Sequence, residues 1–271
     1  MTVDLTDGTA VITGSAGGIG LGLAKACLSR GMRVVLSDLD DDRLADTVES
    51  LRADGAPVAG LAADVRKPAD LEALRDLALR EFGGVDLLCN NAGLGFTKPL
   101  VDCEPGDWQV VLDVNVRGVA NGIHAFLPLM LELDRGHISA TASLSGLLGD
   151  PELGVYNASK FAVVGLMEGL AHDVASTGLS ASVLCPGPVA TDLILTSAAQ
   201  TGVGANADVH DYLNRGMRPD DVGEVAIAGI EAGRFWLLSH QELTERLLAG
   251  RMDAMLTDGR LYVDPLDWTD Q

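Results

Sequence analysis

The chain has 271 residues, 47% of them hydrophobic and 32 of them glycine, which suits one large domain with a buried core and is too apolar for a disordered chain. Its 39 acidic residues against 19 basic ones leave a formal net charge of −20, which opposes attraction to nucleic acid or anionic lipid through a general field. The N-terminus has no basic, apolar leader, no run of about twenty apolar residues exists, and Cys27, Cys89, Cys103 and Cys185 are scattered without a Cys-x-x-Cys pair; the reading is a cytoplasmic protein with reduced thiols, no membrane span, no disulfide frame and no metal site.

In chain order, "TAVIT" (9–13) predicts a buried strand, followed by the glycine turn "TGSAGGIG" (13–20) and an apolar-periodic helix to about Arg30. "RVVLSD" (33–38) predicts a second strand, and "DDDRLADTVESLRADG" (40–55) a helix with acids at its N-terminal end. "PVAGLAAD" (57–64) and "VDLLCNNAG" (85–93) repeat the strand pattern around the helix "PADLEALRDLALREFG" (68–83). "GHISATAS" (136–143), "SASVLCPG" (180–187) and "RFWLLSH" (234–240) complete seven strands. Strands alternating with helices predict an α/β fold: a single doubly wound, Rossmann-like domain over 1–240 with a seven-stranded parallel sheet. The helices predicted at 108–133 and 157–176 are apolar around much of their circumference, which points to contact with another subunit, a homodimer or homotetramer. Pro128 is expected to end or kink the first of them.

Gly14, Gly18 and Gly20 sit between the first strand and the first helix, where glycines permit a tight turn, close approach of a pyrophosphate and close helix packing. Asp38 closes the second strand, where a carboxylate can accept hydrogen bonds from the adenosine ribose hydroxyls and would repel a 2′-phosphate. Leu39 follows it, so no basic side chain stands there to neutralise that phosphate, and NAD is preferred over NADP. Further on, Tyr156 and Lys160 stand one helical turn apart, a spacing at which an ammonium can stabilise a phenolate and lower the phenol's pKa.

"TGSAGGIG", "NNAG" (90–93), "VNV" (114–116), "TASLSG" (141–146), "YNASK" (156–160) and "PGPVAT" (186–191) stand in the order found in short-chain dehydrogenases/reductases, and the chain resembles that family's single-domain branch over about residues 6–240. The resemblance implies that Tyr156 is the general acid/base toward a carbonyl or alcohol oxygen. Lys160 would lower its pKa and hold the nicotinamide ribose, Ser143 would hydrogen-bond the substrate oxygen, and Asn115 would hold a proton-relaying water. Two convergent donors and a tuned proton source are what an alkoxide-like oxygen needs during hydride transfer. By position, Gly17 and Ile19 would lie along the pyrophosphate, Asp64 and Val65 beside the adenine, and Asn91, Ala92 and Gly93 along the adenosine ribose. Val189 and Thr191, in the motif opened by Pro186 and Gly187, would meet the nicotinamide carboxamide; Gly93 and Gly187 equally suit plain turns.

The chain departs from the family where many members end their last strand in Asp-Gly-Gly. Here "FWLLSH" runs into a tail, 241–271, whose first part reads as helix and which is expected to cover a substrate mouth, its own or a neighbour's. The stretch 192–217 has weak periodicity and is expected to be a mobile lid. Leu94, Phe96, Leu144, Leu147, Leu148 and Leu153 predict an apolar, uncharged secondary alcohol or ketone, such as an aryl carbinol, terpenoid or steroid, as the small-molecule substrate. A 3-oxoacyl reductase and a catalytically silent NAD-binding regulator are the alternatives.

Overall fold

The computed structural model describes residues 3–202, 207–257, 259 and 261. Seven parallel strands form one sheet: β1 (Thr9–Thr13), β2 (Arg33–Ser37), β3 (Val58–Gly60), β4 (Leu87–Asn90), β5 (Gly136–Thr141), β6 (Leu179–Leu184) and β7 (Trp236–Leu237), in the order β3-β2-β1-β4-β5-β6-β7. The chain works outward from β1 to one edge, then crosses to β4 and works outward to the other. The reversal between β1 and β4 opens a crevice at the carboxyl ends of the strands, the place where ligands bind in open α/β sheets.

Alternate side chains of each central strand serve opposite faces. Val11, Val35, Leu88, Ile138 and Val183 join one core with Leu71 and Leu74 of α3 (Pro68–Phe82), Phe126 of α5 (Gly118–Leu133) and Met167 of α6 (Gly154–Asp173). Ile12, Val34, Leu36 and Leu87 face the other way, onto Leu23 of α1 (Gly18–Leu28), Leu44 of α2 (Asp41–Ala53) and Ile227 of α9 (Pro219–Glu231). Burial on both faces is why these strands read as continuous apolar runs rather than alternating ones. Gly22 and Gly223 let α1 and α9 cross backbone to backbone, since a Cβ on either would land on the other helix or its leading residue.

Three expectations need revision. β3 and β7 are shorter than the runs suggested, because each is an edge strand whose pairing stops after Gly60 or Leu237. The long helix at 108–133 is two helices, α4 (Pro105–Leu112) and α5, joined by a π-helical turn at Asp113–Arg117. Pro128 does not end α5, which continues to Leu133; Pro128 and His124, whose carbonyl loses its helical partner, are both exposed, so water can satisfy that carbonyl. The described residues of 192–217, the stretch expected to be a lid, hold α7 (Leu193–Thr201) and α8 (Ala207–Asn214), and a bridge pairs Val189 with Met217. The tail begins as α10 (Gln241–Thr257), and beyond it only residues 259 and 261 are among those described. No described helix is long and apolar enough to cross a membrane.

Candidate active site

A cavity of about 1170 Å³ runs along the carboxyl ends of the strands, and every expected catalytic and cofactor-binding residue lines it except Gly20 and Asn115. Its floor starts at the glycine turn. Gly14 has φ +63°, and a Cβ there would stand 2.8 Å from the Ala92 Cα, so this position needs glycine for both torsion and space. Gly20 faces inward, where any side chain would land on the Gly14 carbonyl; it permits the packing and does not line the crevice. Ser15, fully buried, donates to the Ile12 carbonyl at 2.9 Å and accepts from Ser37 N at 2.9 Å, pinning the turn to β2. These bonds leave the N-terminus of α1, with Gly17, Gly18 and Ile19, open to an anion.

Asp38 lies at the end of β2 with Oδ2 accepting from Ala16 N at 3.0 Å, and the exposed Leu39 follows it. Arg43 lays its guanidinium over Gly17 and reaches Asp192 Oδ2 at 3.6 Å. Asp64 is gripped by Arg66, Nε to Oδ1 and Nη2 to Oδ2 both at 2.8 Å, which holds its carboxyl below the usual range. Its carboxylate is thus committed to Arg66, leaving Val65 beside it on the cavity wall.

Asn91 is the cross-tie of the floor. Its Nδ2 donates to the Thr13 and Gly14 carbonyls at 3.0 and 2.9 Å, and its Oδ1 accepts from Thr141 Oγ1 at 3.0 Å. Thr13 Oγ1 accepts from the backbone N–H groups of Asn91 and Ala92, each at 3.0 Å. Gly93 follows where a Cβ would crowd Asn115 Oδ1 and Lys160 Nζ, each at 3.3 Å.

The reacting groups stand at the other end. Ser143 follows β5 and lines the cavity together with Tyr156, in the first turn of α6, whose pKa its hydroxyl lowers. Lys160, one turn on and 4% exposed, donates to the Thr141 carbonyl at 2.9 Å and lies 5.6 Å from the Tyr156 ring centroid. Burial lowers the lysine to about 8. Burial also pushes Tyr156 up to about 12, against the Ser143 hydroxyl and helped by the charge of Asp150. Desolvation dominates, and the phenol keeps its proton at neutral pH. Asn115, fully buried in the π-turn, accepts from Leu94 N at 2.7 Å and donates to the Leu94 carbonyl and to Ser159 Oγ, both at 3.0 Å. Both hydrogens of its amide are therefore spent on protein, and it backs the lysine from behind.

After β6, Pro186, Gly187, Val189 and Thr191 form one wall; Thr191 closes to within 3.4 Å of where a Gly18 Cβ would stand. The remaining space is walled by Leu94, Phe96, Leu144, Leu148 and Leu153, by Ile194 and Tyr212, and by Leu243 and Leu247 of α10. Leu147, expected on this wall, is absent from it; its carbonyl accepts from Arg251 of α10, whose guanidinium lies 5.2 Å over the Phe161 ring. Sequence reasoning missed the acids here: Asp150, which accepts from Ser145 Oγ at 2.8 Å, with Glu152, Asp208 and Asp211. No motif marks them, because they come from loops and helices distant in the chain. No cluster of metal-ligating side chains occurs among the described residues.

The residues present fit a nicotinamide dinucleotide. A side-chain-free cradle faces a helix N-terminus at one end, and a serine, a tyrosine and a lysine converge at the other.

Comparison with known proteins agrees. The family model described as short chain dehydrogenase matches residues 8–201. The chain is 34% identical over 241 residues to the 1-deoxy-11-beta-hydroxypentalenate dehydrogenase of Streptomyces exfoliatus, covering 88% of this chain and 85% of that one. It is also 34% identical over 186 residues to the D-beta-hydroxybutyrate dehydrogenase of Cupriavidus necator, covering 69% and 72% of the two chains. A short-chain dehydrogenase/reductase from Burkholderia phymatum, solved in complex with NAD, superimposes with a TM-score of 0.86 at 36% identity over 97% of this chain and 98% of that one. With its parallel seven-stranded sheet and a family match over most of its length, the chain belongs to the short-chain dehydrogenase/reductase family of oxidoreductases.

Proposed function

We propose that the protein is an NAD-dependent dehydrogenase that interconverts a secondary alcohol and a ketone, with a fairly apolar substrate. The observation that carries this reading is the convergence of Ser143, Tyr156 and Lys160 on the wall of a cavity that continues without interruption to Gly17 and Asp38. The bound dinucleotide would supply the hydride-accepting carbon and, when oxidised, a positive charge. That charge favours the phenolate of Tyr156 and offsets the burial that holds the phenol protonated. Tyr156 then takes the alcohol proton while Ser143 holds the same oxygen, and the reverse order serves ketone reduction. Lys160 keeps one hydrogen on the Thr141 carbonyl, so its head is fixed, with the remaining hydrogens available to ribose hydroxyls.

NAD is favoured over NADP by the carboxylate of Asp38, held toward the cavity by Ala16 N. Arg43, the nearest candidate to receive a 2′-phosphate, is already paired with Asp192. The structure in complex with NAD supports the same choice by analogy. The leucines, Phe96 and Ile194 suit an apolar body. Asp150, Glu152, Asp208 and Asp211 disfavour a substrate bearing a carboxylate, so the hydroxypentalenate and hydroxybutyrate of the two relatives' names are not carried over. The test is reduction of NAD followed at 340 nm with a panel of secondary alcohols; turnover of apolar alcohols is expected, and turnover confined to hydroxy acids would refute the substrate class.

A further inference from the structure

His240 stands just beyond β7, at the point where the chain departs from the family's usual Asp-Gly-Gly ending. It does not line the cavity. Its imidazole lies against the loop between β6 and α7, where Nδ1 accepts from Gly187 N at 3.2 Å. A Cβ on Gly187 would stand 2.9 Å from the ring's Cγ, so the two groups are in close contact. Ser239 Oγ lies 2.9 Å from the same Nδ1. On its other side, the His240 carbonyl accepts from Thr244 N at 2.9 Å and Thr244 Oγ1 at 2.8 Å. Those bonds anchor the first turn of α10, which brings Leu243 and Leu247 to the substrate end of the cavity. One residue therefore holds the Pro186–Thr191 wall with its ring and the α10 wall with its backbone.

We propose that His240 is a positioning residue for the nicotinamide end of the cofactor, fixing the loop against which that end rests and joining it to α10. The proposal rests on the reading above, in which Pro186–Thr191 meets the nicotinamide. Burial holds the imidazole below its usual value, so at pH 7 it is neutral and able to accept the Gly187 hydrogen. A side chain without an acceptor at that point leaves a buried N–H unpaired and frees the loop to shift, while the glycine turn at the far end is untouched.

The experiment compares calorimetric affinities for NAD and for ADP-ribose, which lacks the nicotinamide, in the full-length protein. His240→Leu and His240→Gln both remove the acceptor from the Nδ1 position; His240→Asn replaces it with an amide oxygen. The first two are expected to weaken NAD about tenfold while leaving ADP-ribose within about twofold, and His240→Asn to recover most of the loss. KM for NAD should rise by more than kcat falls. The polar Gln variant carries the test if the Leu variant does not fold. Equal weakening of both ligands, or unchanged NAD affinity in a folded Leu or Gln variant, overturns the proposal. A wild-type protein that binds neither ligand instead refutes the dinucleotide reading itself, and the role of His240 falls with it.

Discussion

Tyr156 is a poor base where it stands, and its neighbours explain how it can become a good one. Burial raises it to about 12, Ser143 pulls it down, and Lys160 sits a turn away, itself lowered to about 8. Tyr156→Phe removes the proton carrier without changing the cavity's shape. Turnover is expected to fall by roughly 10²- to 10⁴-fold, the usual range for a positioned general acid or base, with dinucleotide affinity kept. Steady-state rates beside a binding titration check both halves, and a substantially active variant would remove Tyr156 from the assignment. At this scale the sequence was informative wherever chemistry is packed into short motifs: Ser143, Tyr156, Lys160 and Asp38 all line one cavity. Arg43, Arg66, Asp150 and His240 were not singled out as site residues, because each acts on a partner or a space that folding alone brings near. Asn115 was found, yet its amide turns out to bind Leu94 and Ser159.

Between β5 and β6 lies a polar seam that periodicity gives no hint of. His137 is buried with its Nδ1 and Nε2 each 2.8 Å from a serine hydroxyl, those of Ser180 and Ser182, and burial lowers it to about 3. In the unfolded chain an imidazole titrates near 6.5, so between these two values the unfolded state binds the extra proton. His137 therefore contributes stability that is complete above about pH 6.5 and is lost as pH falls toward the folded value. The loss should reach about 2 kcal/mol by pH 5. Urea unfolding of wild type and His137→Asn at pH 6.5 and pH 5 measures this. The variant's stability should change less with pH, and identical slopes would show that His137 is not held neutral. The same scale shows why helices and strands were legible to different degrees. β1 and β2 announced themselves because both faces are buried, whereas nothing in an edge strand's own residues tells where its single partner stops. The π-turn at Asp113–Arg117 was hidden because one widened turn leaves the apolar rhythm on either side intact.

For the molecule as a whole, the sheet order and the cavity followed from the alternation of strands and helices, while the walls at the substrate end did not. α10 packs Leu243 and Leu247 with Leu144 and Leu148, so truncation after His240 should open the cavity. KM for the alcohol is then expected to rise at least tenfold with ADP-ribose affinity within about twofold. Unchanged kinetics in the truncated protein would reduce the tail to an appendage. Leu131 and Leu133 at the end of α5 and Phe161 on α6 remain exposed, which supports the proposed association of copies. Light scattering after size-exclusion chromatography should give twice or four times the chain mass, and a monomer at micromolar concentration would refute it. The floor of the crevice carries a last consequence. The Gly14 carbonyl is bonded by Asn91, Asn91 by Thr141, and the Thr141 carbonyl by Lys160, a continuous line from β1 through β4 to β5. Neighbouring strands lie about 4.8 Å apart, so two such steps set the span between the anion cradle and the ammonium. Backbone pairing thus acts as a ruler that side-chain replacement cannot rescale, and a molecule too short for it can occupy one end or the other but cannot bridge them.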